Sequence, residues 1–252
     1  MKKIVVIPAR MGSSRFPGKP LEKALGLPVV IHVAKRCQLS SKVDAVLVAT
    51  CDTEIEAACI QYNIPVIMTS AAHERCTDRV SEAIAKWNTK LEARDLVIMV
   101  QGDEILVTPD MIDMVIADYE KTGNAVINLL SRLYTDADHI DPNVVKVVSS
   151  PDQCALYFSR APIPSTYREK EAPIYQQTGV IGFAREFLDT FSKLPQTPLE
   201  KIESIDMLRV LEHGLPLRVV YTPIETVAVD VPADLARACA RLSEDSLVAE
   251  YA

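Results

Sequence analysis

Residues Ile4–Pro20 have the sequence IVVIPARMGSSRFPGKP, in which a short apolar run gives way to a loop with two glycines, two serines, two arginines and one lysine. Gly12 and Gly18 have no Cβ, so the backbone can turn sharply there and approach a ligand closely. A buried strand that ends in such a loop is typical of an anion site, and nucleotide phosphates are the anions most often bound in this way. The segment therefore predicts a buried first strand followed by a phosphate-binding loop.

Three cations stand within ten residues in this loop: Arg10, Arg15 and Lys19. Arginine suits bidentate contact with phosphate oxygens, whereas lysine acts as a mobile point charge. Two familiar phosphate loops are excluded, because five residues separate the glycines, a proline follows the lysine, and no G-x-G-x-x-G is present in the sequence. A basic surface loop with ordinary turn residues is the alternative interpretation.

The composition bounds the class of protein. The chain has 252 residues, 48% of them hydrophobic, and its 27 basic and 34 acidic side chains give a formal net charge of −7. An acidic chain with one basic loop does not favour nucleic-acid binding, and no apolar run approaches the ~20 residues of a membrane span. Met1 leads into the first strand without a signal peptide, and the six cysteines are scattered, so we expect a cytoplasmic protein with free thiols.

Strands and helices alternate in the first half of the chain. The predicted strands are Lys3–Ile7, Ala45–Thr50, Pro65–Met68 and Leu96–Val100, and the predicted helices are Val29–Cys37, Glu54–Tyr62, Thr77–Trp87 and Pro109–Lys121. Thr77 is expected to cap its helix. Continuous apolar strands that alternate with helices predict an α/β protein with a parallel sheet covered on both faces.

The second half has a different pattern, in which strands are not regularly separated by helices. Its predicted strands are Val144–Val148, Ala155–Ser159, Val180–Ala184, Leu217–Tyr221 and Thr226–Val229, while Leu199–Glu212 is a predicted helix and Pro232 begins another. We expect one domain over residues 1–242, with a partly antiparallel extension, followed by a tail over residues 243–252.

Two aspartates follow predicted strands from distant parts of the sequence. Asp103 comes directly after Gln101-Gly102, and Asp230 precedes the last helix. Because ligands of open α/β sheets bind at the carboxyl ends of strands, both carboxylates are expected near the phosphate loop. A carboxylate pair that faces phosphates fits Mg²⁺, which takes oxygen ligands. The alternatives are a turn position for Asp103 and a helix cap for Asp230.

Two further arginines are candidates for anion contacts. Arg79 lies one turn into a predicted helix, from which it can reach a phosphate or a base, and a surface ion pair is the alternative. Arg160 follows the strand Ala155–Ser159 and is the candidate partner of an anionic acceptor group. Cys76, in a polar segment, is interpreted as an unreactive thiol.

The chain as a whole resembles the CMP-KDO synthetases, also called 3-deoxy-manno-octulosonate cytidylyltransferases. The resemblance rests on seven blocks in the family's order: IPARMGSSRFPGKPL, MTS-x₂-H-x₃-TDR, VQGDE, NVVKVV, ALYFSRAPIP, ESIDMLRVLEHG and VDVPADL. It covers Lys3 to Arg241 and leaves out Leu242–Ala252. It implies a Rossmann-like, glycosyltransferase-A-like three-layer fold with a mostly parallel sheet, and a homodimer in which a subregion over about residues 130–220 serves the dimer and the acceptor. It also implies that CTP and an acidic sugar give a CMP-sugar and pyrophosphate with Mg²⁺.

The family's functional positions map onto this sequence motif by motif. The resemblance implies nucleotide contacts at Pro8, Ala9, Arg10, Ser14, Arg15, Lys19, Thr69, Arg79 and Gln101, with catalytic roles for Arg10, Lys19 and Asp103. Asp103 and Asp230 match the magnesium ligands, and Gln101, Arg160 and Glu203 fall where the family meets the sugar.

Several positions on the acceptor side differ from the family's pattern. Arg75-Cys76 stand where the family has Ser-Gly, Ile105 replaces a proline, Met207 replaces a glutamine, and Gln177–Phe183 replaces a segment with a histidine and two tyrosines. A site built to hydrogen-bond a hydroxyl discriminates against ligands that lack it, so the loss of several such groups predicts a changed acceptor site. We therefore add Arg75, Gln177 and Met207 to the expected acceptor contacts.

The expected reaction is in-line attack of an acceptor oxygen on the α-phosphorus of CTP, which expels pyrophosphate. Arg10, Arg15 and Lys19 would hold the β- and γ-phosphates, and catalysis would rest on positioning and electrostatics. The expected acceptor is a small acid, either a KDO-like keto-acid sugar or a variant such as a phosphonate. A catalytically idle nucleotide-binding homologue and a nicotinamide-dependent oxidoreductase are the alternative functions, and the missing G-x-G-x-x-G weighs against the second.

Overall fold

The computed structural model describes residues 1–13 and 15–252, and over these residues one large mixed sheet forms the centre of the fold. The strands are β1 (Lys3–Pro8), β2 (Lys23–Ala24), β3 (Leu27–Pro28), β4 (Ala45–Thr50), β5 (Val66–Met68), β6 (Leu96–Val100), β7 (Val126–Leu133), β8 (Lys146–Ser149), β9 (Ala155–Ser159), β10 (Ile174–Ala184) and β11 (Arg218–Thr222). The α-helices are α1 (Val29–Gln38), α2 (Thr53–Gln61), α3 (Cys76–Lys86), α4 (Pro109–Thr122), α5 (Asp136–Ile140), α6 (Arg185–Phe191), α7 (Pro198–Glu203), α8 (Met207–Glu212) and α9 (Pro232–Glu244). Within the described part of the chain, no helix is long and apolar enough to cross a membrane.

The strands follow the order β11-β7-β10-β6-β1-β4-β5, with β8 paired to β10 and β9 paired to β8. The run β6-β1-β4-β5 is parallel, β10 lies antiparallel between β6 and β7, and β11 is parallel to β7. Every residue of β6 is buried, as expected of a central strand covered by helices on both faces. The predicted α/β fold, with a mostly parallel sheet and an antiparallel extension, is confirmed.

The first half of the chain folds as its pattern predicts. Two of its predicted strands coincide with β4 and β6, and the other six elements agree to within one residue at each end. The predicted capping role of Thr77 is wrong, because Arg75 holds the extended N-cap position and α3 begins at Cys76. Thr77 donates its backbone N–H and its hydroxyl to Asp206 instead.

The second half differs from its prediction in three ways. Thr226–Val229 lies outside the strands of the sheet. The predicted helix Leu199–Glu212 is two helices, α7 and α8, because Ser204 has a left-handed backbone with φ of +57°. Three elements were not predicted: the strand β7 and the helices α5 and α6. The strand β7 was missed because a short apolar run such as VINLL fits a buried helix as well as a strand.

The last residues of the chain pack on α1 through polar contacts. The hydroxyl of Tyr251 lies 2.9 Å from His32 Nδ1, and His32 Nε2 lies 2.7 Å from the carbonyl oxygen of Ala24. That carbonyl can only accept, so the ring proton is on Nε2, and burial lowers the pKa of His32. Arg36, 1% exposed, pairs with Asp245 over 2.8 Å. The domain boundary at residue 242 stays a prediction.

Candidate functional site

The carboxyl ends of β1 and β6 open into a cavity of about 760 Å³, which the middle of β10 and the joint between α7 and α8 also line. The predicted site residues in its lining are Pro8, Ala9, Arg10, Arg15, Lys19, Arg75, Gln101, Asp103, Arg160, Gln177, Met207 and Asp230. Thr69, Arg79 and Glu203 are not part of the lining, and Ser14 lies outside the described residues. One cavity thus brings together most of the residues predicted to serve phosphates, metal and acceptor.

The phosphate loop is held in shape by its own backbone. Gly18 has a left-handed backbone with φ of +77°, a conformation that glycine adopts at little steric cost. Its N–H donates to the carbonyl of Met11 over 3.1 Å, and Met11 donates its own N–H to Asp52 Oδ2 over 2.8 Å. Met11 and Gly18 are therefore fastened to each other and to Asp52, and Arg10 is exposed at the start of the loop.

Lys19 lies between the two predicted metal carboxylates. Its Nζ is 2.6 Å from Asp103 Oδ2 and 3.1 Å from Asp230 Oδ1. Burial disfavours the charged amine, but the attraction of Asp103 and then of Asp230 outweighs it, so the pKa of Lys19 is raised. Arg15 Nη2 is 2.8 Å from the same oxygen of Asp230. Two cations and two carboxylates from three parts of the chain thus form one charge network in the cavity.

The segments that carry the two aspartates are joined through the backbone. Val229 donates its N–H to the carbonyl of Asp103 over 3.0 Å. Asp230 and Val231 both donate their N–H groups to Asp234 Oδ2 over 2.9 Å. Because Val231 holds the N-cap position of α9, the alternative role of Asp230 as a helix cap is wrong. Its carboxylate is left for the cavity.

Glu104 is a residue of the site whose role the sequence did not reveal. One of its carboxylate oxygens accepts the N–H of Gly179 over 2.5 Å, and the other accepts the hydroxyl of Thr226. Burial raises the pKa of Glu104 to about 7. A Cβ on Gly179 would lie 2.7 Å from both Gln101 Cβ and Glu104 Cγ, so glycine is required there. The one sequence signal for Glu104 is its place directly after Asp103.

The donor set suits a magnesium ion that arrives with a nucleotide. Asp103 Oδ1 is buried and has no hydrogen-bond partner in the described part of the chain, which leaves a carboxylate oxygen for a ligand. Residues 1–13 and 15–252 contain no group of three His, Cys, Asp or Glu side chains able to hold a metal ion. Mg²⁺ commonly uses one or two carboxylates and completes its shell with phosphate oxygens and waters. Asp103 and Asp230 fit that pattern.

Thr69 and Arg79 form a buried pair next to the cavity. Arg79 Nη1 donates to the Thr69 hydroxyl over 2.6 Å, and that hydroxyl donates to the carbonyl of Thr50 over 3.1 Å. Arg79 is 3% exposed, so the alternative of a surface ion pair is wrong. Its Nη2 is buried and lacks a hydrogen-bond partner among the described residues, which leaves a donor for a ligand.

Arg160 reaches the cavity from the end of β9 and is supported by Glu203. Its Nε donates to the Glu203 carbonyl over 2.7 Å, and its backbone N–H donates to Glu203 Oε2 over 2.8 Å. The hydroxyl of Ser159 donates to Glu203 Oε1 over 2.7 Å. Both carboxylate oxygens of Glu203 are therefore occupied by hydrogen bonds from the protein, and Glu203 fixes the position of Arg160.

Gln177 and Met207 line the cavity from β10 and α8. Gln177 Nε2 donates to Asn128 Oδ1 over 2.7 Å, which fixes the side chain along the strand. Met207 is fully buried and gives the cavity an apolar portion of wall. Cys76 also touches the cavity, but burial raises its pKa to about 12, in agreement with its interpretation as an unreactive thiol.

An open α/β sheet in which a basic glycine loop shares one cavity with Asp103, just after β6, and with Asp230 has the arrangement of a nucleotidyltransferase. Within that class, residues 4–220 match the family model described as cytidylyltransferase. The chain belongs to this family. The alternative of a nicotinamide-dependent oxidoreductase is therefore wrong.

Curated relatives and a solved structure are similar over nearly the whole chain. The 3-deoxy-manno-octulosonate cytidylyltransferase of Geobacter metallireducens is 40% identical, with 96% of this chain and 98% of the relative covered. The 8-amino-3,8-dideoxy-manno-octulosonate cytidylyltransferase of Shewanella sp. (strain ANA-3) is 38% identical, with 97% and 100% covered. The structure of CMP:2-keto-3-deoxy-manno-octonic acid synthetase complexed with CTP has a TM-score of 0.87 and 34% identity, over 97% of this chain and 99% of that chain. These similarities confirm the predicted family, fold and enzyme class.

Proposed function

We propose that the protein transfers CMP from CTP to 3-deoxy-manno-octulosonate and releases pyrophosphate. The observation that carries the proposal is the cavity, which is lined by Lys19 with its two aspartate partners and also by Arg160. Relatives named for this reaction are 38–40% identical over more than nine-tenths of the chain. We infer that the triphosphate and the acid group of the acceptor meet in this one cavity, because residues suited to each line it.

On the nucleotide side, we assign the β- and γ-phosphates to Arg10, Arg15 and Lys19. Because Gly18 is already hydrogen-bonded to Met11, we expect less conformational entropy to be lost when the phosphates bind. Lys19 and Arg15 then exchange a carboxylate partner for a phosphate oxygen. The rest of the nucleotide is assigned to Pro8, Ala9, Ser14, Thr69, Arg79 and Gln101.

Asp103 and Asp230 are assigned to Mg²⁺. When bound, the ion neutralises charge on the α-phosphate and lowers the pKa of the acceptor hydroxyl. The chain itself holds the two carboxylates at one edge through the Val229–Asp103 hydrogen bond and keeps Asp103 Oδ1 free for a ligand. Such preorganisation costs no rearrangement at the moment of reaction.

On the acceptor side, Arg160 is assigned to the carboxylate of the keto-acid sugar. Its guanidinium is held in place by the hydrogen bonds to Glu203 before any acceptor binds. A fixed arginine is well suited to a planar carboxylate. Gln101 and Gln177 offer amide groups to the sugar hydroxyls, and Met207 offers an apolar contact.

The 8-amino analogue of the same sugar is the second candidate acceptor. The observation in its favour is the 38% identity to relatives named as 8-amino-3,8-dideoxy-manno-octulosonate cytidylyltransferases, which cover 97% of this chain. Both acceptors share the carboxylate that Arg160 would bind, so the two proposals differ only at the far end of the sugar.

We also propose a homodimer that uses the subregion over residues 130–220. Large apolar side chains in this subregion are 61–84% exposed: Tyr134, Ile140, Leu156, Tyr167 and Ile202. Exposed edge strands and apolar patches are usually covered by a partner.

Because CTP is a cytoplasmic metabolite, we place the reaction in the cytoplasm.

Pyrophosphate release tests the proposed function. The protein is incubated with CTP, Mg²⁺ and either keto-acid sugar, with a phosphonate as a further acceptor and ATP in place of CTP as the nucleotide control. We expect release only when CTP and a keto-acid sugar are both present, and the faster sugar identifies the acceptor. CTP binding without release with either sugar would contradict the proposal and favour an idle homologue.

A further inference from the structure

The joint between α7 and α8 forms part of the acceptor side of the cavity. Ser204 is left-handed at this joint, with φ of +57° and ψ of +48°, a conformation that residues with a side chain rarely adopt. The break turns the chain so that Ser204, Asp206 and Met207 all line the cavity. In a continuous helix, Ser204 and Met207 would share a face and Asp206 would point away from it, so the joint is what brings Asp206 to the same wall of the cavity as the other two.

Arg75 contacts both sides of this joint. Its Nη1 donates to the Ser204 hydroxyl over 2.6 Å, and its Nη2 donates to the carbonyl of Glu200 over 3.4 Å. Its Nε lies 3.7 Å from Glu200 Oε1 and 3.9 Å from Asp206 Oδ1. The whole guanidinium therefore faces groups of the joint.

The first turn of α3 reinforces the same contact. Thr77, two residues after Arg75, donates its N–H and its hydroxyl to Asp206 Oδ2 over 3.1 and 2.9 Å. Beneath them, Arg209 Nη2 donates to the buried Glu200 over 2.6 Å. The start of α3 and the joint are thus one connected polar unit.

The charge of Arg75 is compensated inside this unit, because carboxylates of Glu200 and Asp206 lie within 4 Å of its Nε. Only 14% of its side chain is exposed. Its Nε makes no hydrogen bond within residues 1–13 and 15–252, but both of its Nη groups donate to the joint, so most of the guanidinium is committed to the protein. Arg160, whose Nε and Nη1 donate to backbone carbonyls, remains available for a substrate anion.

We propose that Arg75 is a positioning residue for acceptor selectivity, which fixes the α7–α8 joint and thereby the wall that Ser204, Asp206 and Met207 give the cavity. The proposal rests on the proposed function for the identity of the acceptor.

Steady-state kinetics with separate variation of CTP and sugar tests the proposal. Arg75→Ala is expected to raise the KM for the sugar about 10- to 100-fold, as a displacement of about 1 Å at a binding surface does, while the Kd for CTP stays within twofold. Ser204→Ala keeps the charge of Arg75 and removes its hydroxyl partner, and we expect it to reproduce part of the rise. Arg94→Ala changes an exposed arginine outside both the cavity lining and residues 130–220, and this matched control is expected to behave as the parent enzyme.

Two kinetic outcomes would overturn the proposal. An unchanged KM for the sugar in Arg75→Ala would remove Arg75 from acceptor binding altogether. A raised KM in Arg75→Ala with none in Ser204→Ala would assign Arg75 to direct contact with the acceptor.

Hydrogen exchange separates failure of this proposal from failure of the proposed function. In Arg75→Ala, we expect faster amide exchange confined to residues 199–212, whichever acceptor the enzyme uses. Unchanged exchange in that segment overturns the positioning role even if the parent enzyme turns over neither sugar.

Discussion

The backbone N–H of Val229 donates to the carbonyl oxygen of Asp103 over 3.0 Å, and Asp230 is the residue directly after Val229. The separation of the two carboxylates is therefore set by main-chain geometry. Their side chains are linked only through charged partners, above all Lys19. When phosphates draw Lys19 away, the backbone bond keeps the aspartates together, so each carboxylate can be neutralised without dismantling the site.

Replacing either aspartate with asparagine tests the metal assignment. Asp103→Asn and Asp230→Asn keep the shape of the side chain and remove its charge, and we expect kcat to fall by about 10²–10³-fold. Pyrophosphate release at saturating Mg²⁺ measures the effect. Asp110→Asn, in the first turn of α4 and outside the cavity lining, is the control and is expected to retain turnover. Near-normal turnover of either cavity variant would take that aspartate out of the metal site.

Gly179→Ala tests the link between β10 and the aspartate loop. The new Cβ would lie 2.7 Å from Gln101 Cβ and Glu104 Cγ, so the strand must shift and the hydrogen bond from Gly179 to Glu104 is strained. We expect a loss of about 1–3 kcal/mol in the free energy of unfolding and at least a tenfold lower kcat.

A second glycine separates stability from catalysis in this experiment. Gly123 ends α4 with φ of +66°, so Gly123→Ala also costs about 1–3 kcal/mol through backbone strain, but far from the cavity. It is expected to keep its kcat. Equal losses of kcat in both variants would show that stability alone accounts for the effect of Gly179→Ala.

The fold was predictable where local pattern and tertiary structure agree. The strands β4 and β6 are continuous apolar runs with polar boundaries, and both were located to the residue. The break at Ser204 was not predictable, because neither glycine nor proline marks it and the apolar periodicity of Leu199–Glu212 continues through it. Tertiary contacts with Arg75 and Thr77 stabilise a conformation that local propensity disfavours.

The site was predictable where residue type alone reveals the chemistry. Glycines, arginines and a lysine after a strand, together with Asp103 and Asp230, were predicted to lie close together, and the structure places them in one cavity; their roles toward phosphate and metal stay predictions. The supporting contacts were hidden, because pairs such as Glu104 with Thr226 join residues far apart in sequence. Their partners become known only when strand order is known.

Thiol alkylation tests the burial of Cys76. Burial raises its pKa to about 12, so at pH 8 only about one thiol in ten thousand is the reactive thiolate. We expect iodoacetamide to label Cys76 at least 100-fold more slowly in the folded protein than in urea, and the folded rate to rise about tenfold per pH unit above pH 8. Peptide mass spectrometry gives the rate for each cysteine. Equal rates in the folded and unfolded protein would show that Cys76 is accessible and ionisable.

The buried pair of Arg209 and Glu200 predicts a large loss of stability. Arg209 donates to Glu200 over 2.6 and 2.9 Å, and their side chains are 2% and 0% exposed. Arg209→Ala removes both arginine hydrogen bonds from the buried carboxylate and leaves, among the described residues, only Arg75 at 3.7 Å as a cation beside it, a loss that we expect to cost about 3–5 kcal/mol by urea unfolding. The exposed pair of Arg241 and Glu225 is the control, and Arg241→Ala is expected to cost less than about 1 kcal/mol. Similar losses in the two variants would contradict a special role for burial.

The proposed dimer predicts opposite outcomes for two equally exposed apolar side chains. Leu156, on β9 within residues 130–220, is 61% exposed, and Ile60, on α2, is 65% exposed. A lysine at an apolar interface must lose its hydration without gaining a partner, so Leu156→Lys is expected to weaken the dimer at least 100-fold, whereas Ile60→Lys leaves it intact. Light scattering after size exclusion, over a dilution series, measures the mass. A monomeric parent protein would contradict the proposed dimer. A dimer that persists in Leu156→Lys but dissociates in Ile60→Lys would show that the interface lies at α2 instead. Since both substitutions add the same charge at similar exposure, a difference between them reports the position of the interface alone.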